Sequence, residues 1–403
     1  MKVFRQYSLL ALTKGFSSLV SLFLIFFIYD SLPPNLSSVF FIAHGVSLFI
    51  SLAATSGLSF VIVSNCHRFA KNIPLFGGVI STIFIYFILF IPLYLYLINA
   101  IFDITLYHFI KFYLSSFVLS LLLLLNFYFV YFRKPQVGIL ISTIVPNVSL
   151  LTLFYSSTLV ERMDVIDLLF ISSLFSLFIC FIFLFFHRKA FDFSFNIEIV
   201  PVFTSIFKNG PIGLLNILIL QMPILVMGVY LDDQGVADFT LAYRLSSFIF
   251  VVISVFSLVN NPRIASFYNS RMMSNFKREV FFGCVLSFVF SLASSVVIFL
   301  LFPWLKTFLS GSNLSISLLV IMLLGVCIKS MSANLCFTFQ VLKKLRFILF
   351  TQVLTLLAFF GYPEFLGRKV EPFDLGCALF LAYSINSICY IIKFRYRDAV
   401  KEY

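Results

Sequence analysis

Five basic side chains stand inside long apolar runs of this sequence: Lys14, Lys111, Lys208, Arg244 and Lys329, with His44 as a sixth ionisable group. A charge at the centre of a membrane-spanning helix costs about 2.5–3.5 kcal/mol on insertion scales. Acids at the same depth would neutralise these cations, yet none of the 16 acids falls in the middle of a run. Asp30, Asp103, Asp164, Asp167, Asp232, Asp233, Asp238, Glu364, Glu371 and Asp374 lie at outer ends or outer loops, and the remainder are cytoplasmic. An interior cation without an acid needs a water-filled cavity, a cluster of carbonyls or an anionic ligand. A cavity lined by such cations repels organic cations and suits phosphate or pyrophosphate, which Arg and Lys bind well. Snorkelling to the head groups is the competing reading. It fits Lys208, close to the cytoplasmic edge, and weighs evenly at Lys111. Lys14, Arg244 and Lys329 are read as facing a lumen, with Asp238 able to reach towards Arg244.

Helix breakers are the second kind of functional signal. Gly210-Pro211 opens one run and Pro223 interrupts it; Pro262 ends the next. Proline in a span frees a carbonyl and bends the helix, so Gly210, Pro211 and Pro223 are candidate hinges. Asn216 and Gln221 on the same run could line a cavity or bond across to a neighbouring helix.

The elements that carry these residues follow from composition. Of 403 residues, 61% are hydrophobic and 11% charged, with a mean hydropathy of +1.08. A soluble domain carries about 25% charged residues, so lipid must cover this surface. A bilayer core needs about 20 apolar residues per helix. Twelve spans are predicted, at 7–29, 36–65, 75–99, 104–132, 137–159, 165–186, 206–230, 236–261, 280–302, 314–341, 347–361 and 373–392. The expected fold is all-α: two six-helix lobes around a central cavity, 1–190 and 206–403, joined by a cytoplasmic linker at 191–205. Weak internal matches between the halves, such as Lys14-Gly15 with Lys208-Asn209-Gly210, agree with a repeat.

The net charge of +12 would suggest nucleic acid as a partner in a soluble chain. Here it reports topology, and no nucleic-acid partner is expected. Basic residues crowd alternate loops, from Lys2 and Arg5 through Arg188 and Lys189 to Lys393, Arg395 and Arg397, while the opposite loops hold Arg162, Lys306, Arg368 and Lys369. By the positive-inside rule both termini are cytoplasmic, in a bacterial inner membrane. The seven cysteines include no CxxC pair, and six sit in apolar segments as small hydrophobes. No metal site is expected.

The chain has no phosphate-binding GxxxxGK[ST], no HExxH and no large outer loop. These absences weigh against ATP hydrolysis, metal chemistry and a catalytic periplasmic domain, so the chain is not expected to be an enzyme. Lys-Asn-Gly-Pro at 208–211, Ala242-Tyr243-Arg244 and Asn261-Pro262-Arg263-Ile264-Ala265 resemble the seventh and eighth helices of the Wzx-type polysaccharide flippases. These belong to the multidrug/oligosaccharidyl-lipid/polysaccharide (MOP) exporter superfamily, which includes the MATE transporters. The resemblance implies alternating access and a cargo of undecaprenyl-pyrophosphate-linked oligosaccharide for O-antigen or capsule. It implies membrane lipid, a polysaccharide polymerase and chain-length proteins as partners. It implies no cofactor beyond proton or sodium coupling, with His44 the titrating candidate. A membrane-embedded glycan polymerase or ligase, and an exporter of another anionic lipid-linked substrate or a drug, remain as alternatives.

Overall fold

Backbone N–H and C=O groups in hydrocarbon must be satisfied within the segment, which makes apolar runs of this length helical. The computed structural model describes residues 2–56, 73–74, 80, 83–88, 106–131, 135–156, 165–186, 191–192, 199–308 and 314–396. The helices are α1 (Lys2–Ser31), α2 (Pro34–Thr55), α3 (Leu106–Tyr131), α4 (Pro135–Ile139, continued through a π-helical turn at Leu140–Ile144 into Val145–Tyr155) and α5 (Val165–Phe186). They continue as α6 (Ile199–Tyr230), α7 (Asp233–Asn269), α8 (Met273–Phe308), α9 (Ile316–Ser330), α10 (Leu335–Val341), α11 (Leu345–Leu366) and α12 (Pro372–Tyr396). Ile73–Pro74 and Phe191–Asp192 form a two-residue parallel ladder. Among the described residues ten helical stretches are long and apolar enough to cross a membrane. The chain is a multi-pass membrane protein. The predicted span at 75–99 lies outside the described residues except for residue 80 and the helical segment 83–88.

Three local expectations change. Pro211 lies inside α6 rather than at its start. α7 runs past Pro262 to Asn269, about 55 Å at 1.5 Å per residue. Proline removes one intrahelical bond, and a helix end near the head groups can bear that loss. The span predicted at 314–341 is broken: α9 stops at Ser330 and α10 starts at Leu335. The intervening backbone makes i→i+3 bonds, Met331 N–H to Ile328 O and Ser332 N–H to Lys329 O. Ser330 and Ser332 each donate a side-chain hydrogen bond to the carbonyl three residues back, at 2.6 and 3.1 Å. Such local bonds compete with the α-helical ladder.

The chain forms two compact units. One comprises Leu19–Val229, the other Met1–Ser18 with Tyr230–Tyr403. In the Leu19–Val229 unit α2 packs on α3 and α3 on α5. Ser47 and Ser116 hydroxyls meet at 2.9 Å, and Ser51 donates to the Ser116 carbonyl at 2.8 Å. Helices α2 and α6 approach closely at paired glycines: Gly45 faces the Ile224 side chain, and Gly228 faces Ile42. Small residues serve this purpose in membranes, where packing rather than water drives association. In the other unit α7 packs on α8 and α9, and α12 lies against α9 and α11. Asp232 caps α7 by accepting from the Gly235 N–H at 2.9 Å.

Candidate functional site

Lys14, Arg244 and Lys329, the three cations read as facing a lumen, fall in one unit, Met1–Ser18 with Tyr230–Tyr403. Each is half-buried. Lys14 of α1 donates through Nζ to Ser254 Oγ of α7 at 3.0 Å. Lys329 is the penultimate residue of α9, at the edge of the break before α10, and donates to Asn386 Oδ1 of α12. Asn386 in turn donates through Nδ2 to Thr355 Oγ1 of α11 at 2.9 Å. The Lys329 ammonium also stands 6.0 Å from the Tyr383 ring centroid, near the limit of a cation–π contact. Tyr383 is fully buried and meets Phe250 of α7 edge-on at 6.1 Å.

Arg244 sits on α7 beside buried Tyr243. Its Nε is buried and has no hydrogen-bond partner among the described residues. Asp238, expected to reach towards it, instead accepts from Gln234 Nε2 at 3.2 Å. Among the described residues no acid pairs with Lys14, Arg244 or Lys329. A neutral acceptor such as Ser Oγ or Asn Oδ1 orients an ammonium but leaves its charge uncompensated. An unsatisfied buried donor costs about 1–3 kcal/mol, more when charged. An anion at Arg244 Nε would recover that cost.

Arg244 and Ser254 are ten residues apart on α7, about 15 Å along the axis. They share one side of the helix, since ten residues turn it to within about 80° of the starting direction. Lys14 and Arg244 therefore mark two separate stations for negative charge along one helix. Sequence reading found the cations and missed Ser254, Asn386, Thr355 and Tyr383, which come from helices distant in the chain. The run Ser330, Ser332, Asn334 after Lys329 was the available signal for the helix break.

Lys111, Lys208 and His44 lie in the other unit. Lys111 forms an ion pair with Asp167 Oδ1 of α5 at 2.5 Å. The expectation that no interior cation meets an acid is corrected here: Asp167, assigned to an outer end by its sequence position, sits in the first turn of α5 where Lys111 can reach it. His44 stacks on Phe40 at 5.7 Å, with 12° between the planes. Lys208 is helical in α6, and its side chain lies outside the described residues. α6 continues through Gly210, Pro211 and Pro223, with Pro223 buried. Among the described residues no cluster of His, Cys, Asp or Glu could hold a metal.

No family model and no curated protein matches the sequence. Solved structures do. The lipid II flippase MurJ matches at TM-score 0.71 and 15% identity, over 96% of this chain and 87% of that one. The Vibrio cholerae MATE transporter VcmN, as a point mutant, matches at TM-score 0.68 and 16% identity over 98% of each chain. A MOP superfamily transporter from Pyrococcus furiosus, described as having a binding pocket of reversed polarity that suggests a different function, matches at 0.65 and 15% over 97% and 94%. The chain has the fold of the MOP-superfamily transporters.

Proposed function

We propose that this protein is a flippase that moves an undecaprenyl-pyrophosphate-linked oligosaccharide from the cytoplasmic to the periplasmic leaflet of the inner membrane by alternating access, for O-antigen or capsule synthesis. The observation that carries this reading is the set of Lys14, Arg244 and Lys329, embedded in one unit with neutral hydrogen-bond partners or none among the described residues. Pyrophosphate offers the clustered negative oxygens that Arg and Lys bind. Likeness to a lipid II flippase supports a lipid-linked cargo. The P. furiosus transporter supports reading pocket polarity as a mark of function within this fold. An inside-negative potential would favour outward movement of negative charge by about 2.3 kcal/mol per charge per 100 mV.

The test is Arg244→Ala and Lys329→Ala, made singly, with surface glycan and membrane-inserted protein measured together. Loss of glycan with undiminished protein is expected for each. Wild-type glycan in both variants would remove the anion-binding reading. Accumulation of a different lipid-linked anion in the variants would assign the protein to the related exporters.

A further inference from the structure

Apart from the three cations, the unit that holds them carries a shallow apolar groove of about 240 Å³. Its walls include Phe281, Cys284 and Phe288 of α8, Leu335 of α10, and Ile391 and Phe394 of α12. On α8 the lining runs from Val280 to Phe288, about 12 Å of helix. Half of a hydrocarbon core is about 15 Å thick, so the trough covers most of the depth of one leaflet.

One mouth of this trough is basic on both walls. Lys277 precedes Phe281 by four residues and Cys284 by seven, which puts it on the lined face of α8. Arg395 follows Ile391 by four residues, on the lined side of α12. Both are exposed. They stand at the first turns of α8 and the last turn of α12, so the charged mouth and the apolar trough follow one another along the groove. Lys393, two residues before Arg395 on α12, stands with its ammonium 5.2 Å from the Phe347 ring.

The geometry points to a resident anionic phospholipid of the leaflet at the basic end, with its phosphate between Lys277 and Arg395 and one acyl chain in the trough. This site is distinct from the three cations, none of which lines it, and it is independent of what the protein carries. Ordinary surrounding lipid shows no head-group preference at a given spot; a charged mouth imposes one.

Trp304 is the only tryptophan, so Trp304→Phe with Val285→Trp places a single fluorescent reporter in the trough. The full chain is reconstituted in phosphatidylcholine discs containing brominated-chain phosphatidylglycerol or brominated-chain phosphatidylcholine at matched fractions. Brominated phosphatidylglycerol is expected to quench at several-fold lower fraction. Lys277→Ala and Arg395→Ala are each expected to reduce that preference about fivefold. Equal quenching by the two lipids would reduce the trough to ordinary lipid contact and overturn the site. A brominated polyprenyl phosphate that displaces phosphatidylglycerol would assign the trough to the tail of a cargo and overturn it equally.

Discussion

The Lys111–Asp167 pair allows a test that separates structural from cargo-binding charge. At 2.5 Å, with side chains 15% and 24% exposed, it joins α3 to α5 inside the Leu19–Val229 unit. Asp167→Asn removes the acid paired with Lys111, and Lys111→Met removes the cation paired with Asp167. Breaking a fully buried pair costs about 3–5 kcal/mol, and insertion scales give about 2.5–3.5 kcal/mol for a lone charge at mid-span. Partial exposure lets water and head groups screen what remains, so each single variant is expected to lose about 2 kcal/mol. The double variant Lys111→Met with Asp167→Asn leaves no charge and should lie within about 1 kcal/mol of the parent, because apolar replacement of an ion pair is often neutral. The coupling energy across the cycle is then about 3–4 kcal/mol. Reversible unfolding of the purified protein in mixed micelles measures it, and surface glycan is scored in parallel. Additive single losses would show that the pair does not hold α3 to α5. A stable double variant that makes no glycan would return Lys111 to the cargo path.

Two further outcomes follow from the geometry. Asn386→Asp places a carboxylate against Lys329 in the position of the Oδ1 it already touches; the charge is compensated without losing the contact, so glycan export should fall at least as far as in Lys329→Ala while the protein remains stable in micelles. Export at the parent level would show that the Lys329 charge is not used. Gly45→Leu forces a side chain into Ile224 and should cost about 1–3 kcal/mol by overpacking, measured as a lowered unfolding midpoint; an unchanged midpoint would mean that α2 and α6 do not need their close approach.

Helices were legible in this sequence because lipid removes the ambiguity that water leaves: an apolar run long enough to span must be helical. That logic located the segments that became α1 through α8 and α11 and α12. It failed inside 314–341, where apolar composition continues through Ser330 and Asn334 and hides a break made by side-chain hydrogen bonds to the backbone. The cations were legible by type and depth. Their surroundings were not, since Lys14 meets Ser254 across 240 residues of sequence and Lys329 meets Asn386 across 57. A serine or an asparagine in an apolar run is common enough that nothing in the linear order marks these two.

Lys111 and Lys329 look alike in the sequence, each a lysine deep in an apolar run with small polar neighbours. They differ in what the neighbouring helix supplies. Opposite Lys111 is the first turn of α5, where an acid also complements the positive end of the helix dipole, so Asp167 is stabilised twice. Opposite Lys329 is the middle of α12, where a carboxylate would bear the full cost of mid-span burial, and an amide stands instead. An amide holds the ammonium in place without cancelling its charge. The same contrast separates the span cations of the two units among the described residues: Lys111 of Leu19–Val229 is compensated within the protein, while Lys14 and Lys329 of the other unit are held by neutral acceptors and Arg244 Nε has no partner. Affinity for an anion should therefore reside in α1, α7, α9 and α12 of that second unit, and charge-neutralising changes there should abolish export while the same changes at the Lys111–Asp167 pair alter only stability.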